Sequence, residues 1–239
     1  LGNIELMTDK LLDFAYEKQD NTAIVQNYLT RFIADEAQST FLNYLKKTLL
    51  LRTQKKQDVY WNQFLSWLYV QQKEYGKAFI QEKAIYKRNP ESLDAILSLA
   101  YMAVDDKQQT DAISILEYVL ENTSDVSQQV AAHTLLMQLK IEEAIPSEYA
   151  KIDADLNHLL EKFGFQSTAI TLIKLQAHFK AFYLNQPQES SLLLNKALKL
   201  RLNNREISEI KIELADVLLF DEKFNKSILY YAQVEEIMK

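Results

Sequence analysis

Apolar residues recur along nearly the whole chain at spacings of three and four, the pattern of helices with one buried face. Residues 4–18 carry Ile4, Met7, Leu11, Leu12, Phe14 and Ala15 in that register. Residues 22–34 carry Ile24, Val25, Tyr28, Leu29, Phe32 and Ile33, and residues 37–54 carry Phe41, Leu42, Leu45 and Leu49. The same period predicts helices over 57–72, 74–88, 91–104, 108–121, 126–143, 147–163, 167–184, 188–200, 206–219 and 222–238. That makes about thirteen helices, and no stretch alternates as a strand does.

The punctuation agrees with these boundaries. Pro90 and Pro146 stand where a proline can open a helix as its first residue, with Glu91 and Glu148 near the positive end. Gly164 follows Lys162 and Phe163, where a left-handed cap would end a helix. Pro187 separates the helix ending near Leu184 from the next. Connections this short turn neighbouring helices antiparallel, so the chain reads as a series of helical hairpins.

Composition narrows the classes further. The 239 residues contain only 3 Gly and 3 Pro, against roughly 17 and 12 at average usage. Sheet turns and phosphate-binding loops both need glycine, and a chain this poor in it can hardly build either. The apolar share of 48% is enough for a continuous core, even with 25% charged residues. There is no Cys, which excludes disulfides and thiolate metal sites. No apolar run approaches the roughly 20 residues of a membrane span. The net charge of -6 disfavours nucleic acid as a partner.

Two consecutive hairpins superpose at a shift of 34 residues. Leu65 falls on Leu99, Ser66 on Ala100, Ala78 on Ala112, Phe79 on Ile113, Ile85 on Val119 and Tyr86 on Leu120. Small residues at 66, 78, 100 and 112 let the two helices of a hairpin cross closely. On these residues the chain resembles the tetratricopeptide repeat family, whose period is about 34 residues. Leu65, Ser66, Tyr69, Tyr75, Ala78 and Pro90 carry the family pattern in 59–92. Leu99, Ala100 and Ala112 carry it in 93–126, where Ala103 replaces the usual aromatic and Ser124 the usual proline. Leu214, Ala215, Leu218, Phe224, Ser227 and Ile228 read as a further repeat, and Ala177, Ala181, Leu194 and Ala197 as a looser one. Residues 1–56 and 126–164 keep the helical period without the small-residue signature. The phrases FIQEKAIYKRNP and ELADVLLFDEKFNKSILYYAQV are similar to an uncharacterised group of longer, exported tetratricopeptide proteins from Bacteroidetes. That resemblance implies an exported chain of which this is an amino-terminal portion. The non-Met first residue fits a trimmed or processed chain.

The resemblance implies an all-α, right-handed superhelical solenoid of antiparallel hairpins. It would form one repeat domain over 1–239, with less regular hairpins in 1–56, the best-matched repeats in 57–125 and divergent repeats in 126–239.

Candidate chemistry is sparse. His133, His158 and His178 form no metal-ligand spacing. Asp153 and Asp155 diverge on a helix, and Ser208 with Lys211 spells an isolated SxxK without its companion motifs. Lys46, Lys47, Arg52, Lys55 and Lys56 make a basic cluster that reads as a solvated helix end. No catalytic residue, metal or cofactor is expected, and the chain is read as a non-enzyme.

The residues that invite a function are aromatic. Tyr60, Trp61, Phe64, Trp67 and Tyr69 crowd one helix. Trp61, Leu65 and Leu68 make one stripe, and Tyr60, Phe64 and Trp67 make another. One helix cannot bury both within its own hairpin, so the second stripe packs on the preceding helices or faces a groove. In the family the first helix of each hairpin lines a concave groove. Carried onto this chain, the groove positions are Tyr60, Gln63, Trp67 and Gln71, then Asp94, Leu97, Tyr101 and Asp105. The resemblance therefore implies a scaffold that binds a protein or peptide partner. The alternative is a structural, self-associating segment of a larger exported assembly.

Overall fold

The computed structural model describes residues 2–33, 39–55 and 58–237. These form thirteen α-helices, and among the described residues there is no strand. They are α1 (Gly2–Glu17), α2 (Thr22–Ile33), α3 (Ser39–Lys55), α4 (Val59–Gln71), α5 (Tyr75–Arg88), α6 (Asp94–Asp105), α7 (Gln109–Asn122), α8 (Val126–Glu142), α9 (Tyr149–Phe163), α10 (Ile170–Phe182), α11 (Pro187–Ala197), α12 (Asn204–Phe220) and α13 (Phe224–Ile237). The fold is all-α, a helical repeat of hairpins. The expected helices agree closely with these bounds.

The punctuation is corrected in two places. Pro90 does not open α6, which starts at Asp94 after Ser92 Oγ accepts the Asp94 N–H at 3.0 Å. Gly164 does end α9 at positive φ, but its ψ of 159° sends the chain off extended instead of left-handed helical. Elsewhere side chains cap as their types predict. Asp58 accepts from Tyr60 N at the start of α4, Asp125 accepts from Gln128 N at α8, and Asn203 with Glu206 forms a capping box at α12.

The chain divides into two compact units, Leu1–Ile115 and Leu116–Lys239, and the division falls inside α7. In the first unit α3 packs on α4, α4 on α5 and α5 on α6, while α1 meets α2 and α3. In the second unit α10 is central, touching α8, α9, α11 and α12, and α12 packs on α13. Its core runs through Val130, Leu156, Ile173, Phe179 and Leu214.

The repeat is written in three physical features. Four hairpin turns each hold a non-glycine residue at positive φ: Lys73, Lys107, Asn185 and Glu222, with φ between 54° and 58°. After each of them the next N–H reaches back to a carbonyl of the preceding helix, Glu74 to Tyr69, Gln108 to Ala103, Gln186 to Lys180 and Lys223 to Leu218. Second, the small pairs twelve residues apart are buried: Ser66 and Ala78, Ala100 and Ala112, Ala215 and Ser227. The last pair shows why size matters there, since Ser227 Oγ donates to the Ala215 carbonyl at 2.8 Å. Third, side chains link successive hairpins at nearly the repeat period. Lys73 to Asp106 and Gly76 to Asp111 do so in the first unit. Lys174 to Glu209, His178 to Glu213 and Gln188 to Asp221 do so in the second.

Candidate functional site

The aromatic helix α4 explains how the first unit is built. Its N-terminal half is enclosed by the helices that precede it. Tyr16 of α1 stacks on Trp61 with centroids 5.0 Å apart and meets Tyr60 edge-on at 5.4 Å. The Arg52 guanidinium lies 4.8 Å over the Trp61 ring and pairs with Asp13 at 2.7 Å. The Tyr60 hydroxyl shares a hydrogen bond with Thr22 Oγ1 at 2.9 Å. Tyr60 is only 6% exposed, and burial holds its hydroxyl above the ordinary tyrosine range.

Tyr60 is therefore corrected from a groove position to a core residue, because α1 and α2 cover it. Leu97 is corrected in the same way: it is 9% exposed and belongs with Ile96, Leu99 and Ala100 to the buried residues of α6. The second aromatic stripe thus divides along its length. Tyr60 and Phe64 are buried, while Trp67 is half-buried, with Phe64 edge-on to it at 5.3 Å. Gln63, Gln71, Asp94 and Asp105 are exposed, and Tyr101 is 43% exposed.

Between α4, α5 and α6 lies an open cleft of about 310 Å³. Gln63 and Trp67 of α4 form one wall, and Leu99 and Met102 of α6 form the other. Ser66 and Glu82 also line it. Burial pushes the Glu82 carboxyl above its ordinary range, and a hydrogen bond with Ser66 pulls it partly back. Of the expected groove residues, the cleft brings together Gln63 and Trp67. Tyr101, next to Met102, and Asp105 stay exposed on α6 outside its lining.

Sequence reasoning missed Glu82. The signal was present in the repeat: a shift of 34 residues sets Glu82 on Leu116, which is completely buried. A carboxylate at a core position of the repeat is the kind of local inconsistency that marks a site.

The other candidates are absorbed by packing. Lys46 pairs with Glu74 at 3.3 Å and lies over the Tyr69 ring, while Arg52 serves Trp61, Asp9 and Asp13. Lys47 and Lys55 are exposed, and Lys56 lies outside the described residues. His133 leans on the Phe163 ring, His178 Nδ1 stands 2.9 Å from Glu213, and His158 is exposed. Asp153 pairs with Lys180 and Asp155 with Lys140. Ser208 is buried within α12, and Lys211 is partly exposed on the same helix. Among the described residues no group of three or more His, Asp or Glu converges as a metal site.

Buried small pairs, left-handed turn residues and side-chain links between successive hairpins within each unit describe a tetratricopeptide-type helical-repeat fold. The chain is similar in fold to a tetratricopeptide repeat protein from Parabacteroides merdae of known crystal structure. The two share 13% identity over 96% of this chain and 93% of that one, with a TM-score of 0.51. No family model matches the sequence, and no curated protein matches it. Among the described residues no helix is long and apolar enough to cross a membrane.

Proposed function

We propose that this chain is a protein-interaction scaffold that holds a partner segment along the exposed faces of α4 and α6. The observation that carries the reading is the cleft beside Trp67. Trp67 stays partly exposed in a helix that buries each of its other aromatic rings, Tyr60, Trp61, Phe64 and Tyr69. Trp and Tyr are favoured as binding anchors because they bury much area at little entropic cost. Trp67 and Tyr101 are the anchors, with Gln63, Gln71 and Asp105 as polar contacts around them. Repeat arrays suit this role, since each hairpin touches only its neighbours and leaves a continuous surface for a ligand. The chain has no catalytic role in this reading.

The test is site-specific photocross-linking in the source cell. A photoreactive residue at Gln63 is expected to capture a defined partner, and one at the exposed Lys47 is not. Adding Trp67→Ala should remove the Gln63 product, since loss of an anchor costs about 2 kcal/mol or more of binding. Equal labelling from both positions, unaffected by Trp67→Ala, sinks the proposal.

A second reading rests on α13. Phe224, Ile228 and Leu229 are all more than half exposed, and patches of that kind mark contact surfaces. In this reading the array self-associates through α13. Concentration-dependent sedimentation that Ile228→Asp abolishes would favour it over the groove.

A further inference from the structure

In the 34-residue register the two best-matched hairpins differ in polarity at a pair of seam positions. Where the second has Ala100 and Leu116, both completely buried, the first has Ser66 and Glu82. Glu82 is half-buried and lines the cleft together with Ser66. A leucine would serve the helix packing better, because a carboxylate taken out of water without a counter-charge is costly. Among the described residues no lysine or arginine pairs with Glu82. Nearby cations have other contacts. Arg88 donates to Asn62 at 3.0 Å, Lys77 pairs with Glu74 at 2.7 Å, and Lys83 lies over the Phe79 ring at 4.2 Å. Glu82 and Trp67 both line the cleft.

We propose that this cleft receives a lysine or arginine side chain of a peptide partner. The cation sits on the Glu82 carboxylate. The aliphatic stem runs along Trp67, Leu99 and Met102. Four features select this ligand. Aromatic rings attract cations through their quadrupole, and most strongly where water is excluded. A partly desolvated carboxylate gives up less hydration when a cation arrives than an exposed one does. The volume of about 310 Å³ stands at the low end of the range for sites that take small groups. The net charge of -6 draws a basic segment toward the chain before contact. The proposal rests on the interaction reading above and names the chemistry of its ligand.

A random peptide library panned against the whole chain, and in parallel against Glu82→Gln, tests both levels. Enriched peptides are expected to share a lysine or arginine. Their affinity, measured by calorimetry, should fall at least tenfold in Glu82→Gln or when that residue becomes norleucine. Glu82→Gln should at the same time raise the thermal midpoint at pH 7, since it removes a poorly solvated charge; a merely structural glutamate would lower it. Peptides without a basic residue, bound equally by both forms, would overturn the cation site and leave the interaction surface standing. An empty selection would overturn both. A lowered midpoint with unchanged affinity would make Glu82 a packing residue and overturn the cation site alone.

Discussion

The backbone N–H of Gly76 donates to Asp111 Oδ2 at 2.7 Å, tying the start of α5 to the first turn of α7. A Cβ on residue 76 would stand 2.8 Å from Asp111 Oδ1, closer than side chains tolerate. Glycine thus lets the carboxylate of the neighbouring repeat approach this closely, and a side chain here would make Asp111 shift; its own backbone angle is ordinary. Gly76→Ala alone is expected to destabilise the protein by about 1–2 kcal/mol, because a hydrogen bond to a charged group is strained or lost. With Asp111→Ala already present, the same change should be neutral or stabilising by up to about 1 kcal/mol, since alanine is the better helix former. Urea unfolding of the four forms gives the coupling. Additive effects would mean that the carboxylate swings aside and the link contributes nothing.

The small seam residues make the second prediction. Ala112 is completely buried twelve residues after Ala100, as Ser227 is after Ala215. The 2.8 Å bond from Ser227 to the Ala215 carbonyl measures how closely these helices run. Ala112→Leu and Ala78→Leu should each cost about 1–3 kcal/mol through overpacking. The damage should spread to adjoining hairpins, since repeats are stabilised through their neighbours. Lys107→Ala, on an exposed turn, should leave the melt unchanged. Unaltered midpoints in the leucine variants would show that the seam accommodates bulk.

How far the sequence reads as this fold depends on which physical term decides each feature. Helices were legible because their apolar period survives in every element, and hairpins because their connections are short. The period does not say which residue of a stripe is covered. Phe14 and Ile24 fit their helices' patterns, yet both are more than half exposed, while Leu12, Ala15 and Val25 are buried. Tyr60 was misplaced for a related reason. Its fate depends on Tyr16 and Thr22, which belong to hairpins whose register the small-residue signature does not fix. Trp67 was legible as an anchor candidate, but Glu82 was not. A lone glutamate on a helix looks solvated until the shift of 34 residues sets it against Leu116.

The turn residues give a third prediction. Lys107 adopts φ of 58°, a left-handed conformation that costs an L-residue roughly 1–2 kcal/mol and glycine far less. Glycine also loses more freedom on folding, which offsets about 0.5–1 kcal/mol of that gain. Lys107→Gly should therefore raise stability by about 0.5–1 kcal/mol, the balance of the two terms. Lys107→Val, branched at Cβ, should lower it. At Lys73 the same glycine change should gain less, because that lysine also pairs with Asp106 across the repeat at 2.8 Å. Thermal melts of the three variants decide the matter, and a valine form as stable as the parent would refute the strain argument.

The last prediction concerns pH and the second unit. His133 is half-buried with its ring 5.7 Å from that of Phe163. Burial holds its pKa below the ordinary histidine value of 6.5, and the nearby Lys162 charge pushes the same way. The unfolded chain therefore takes up the proton first as pH falls. Stability is full above about pH 6.5, the unfolded value, and is lost as pH falls from there toward the folded value. Glu82 acts in the opposite sense: with a raised folded pKa, its contribution is full below the ordinary carboxylate value and is lost as pH rises. Comparing variants with the parent cancels that background. Between pH 7.5 and 5.5 the unfolding midpoint of His133→Gln should fall less than that of the parent. Lys162→Gln should recover part of the difference, because it removes the cation that opposes protonation and leaves the burial. If the parent and His133→Gln melt along parallel pH profiles, His133 is solvated well enough to titrate alike in both states.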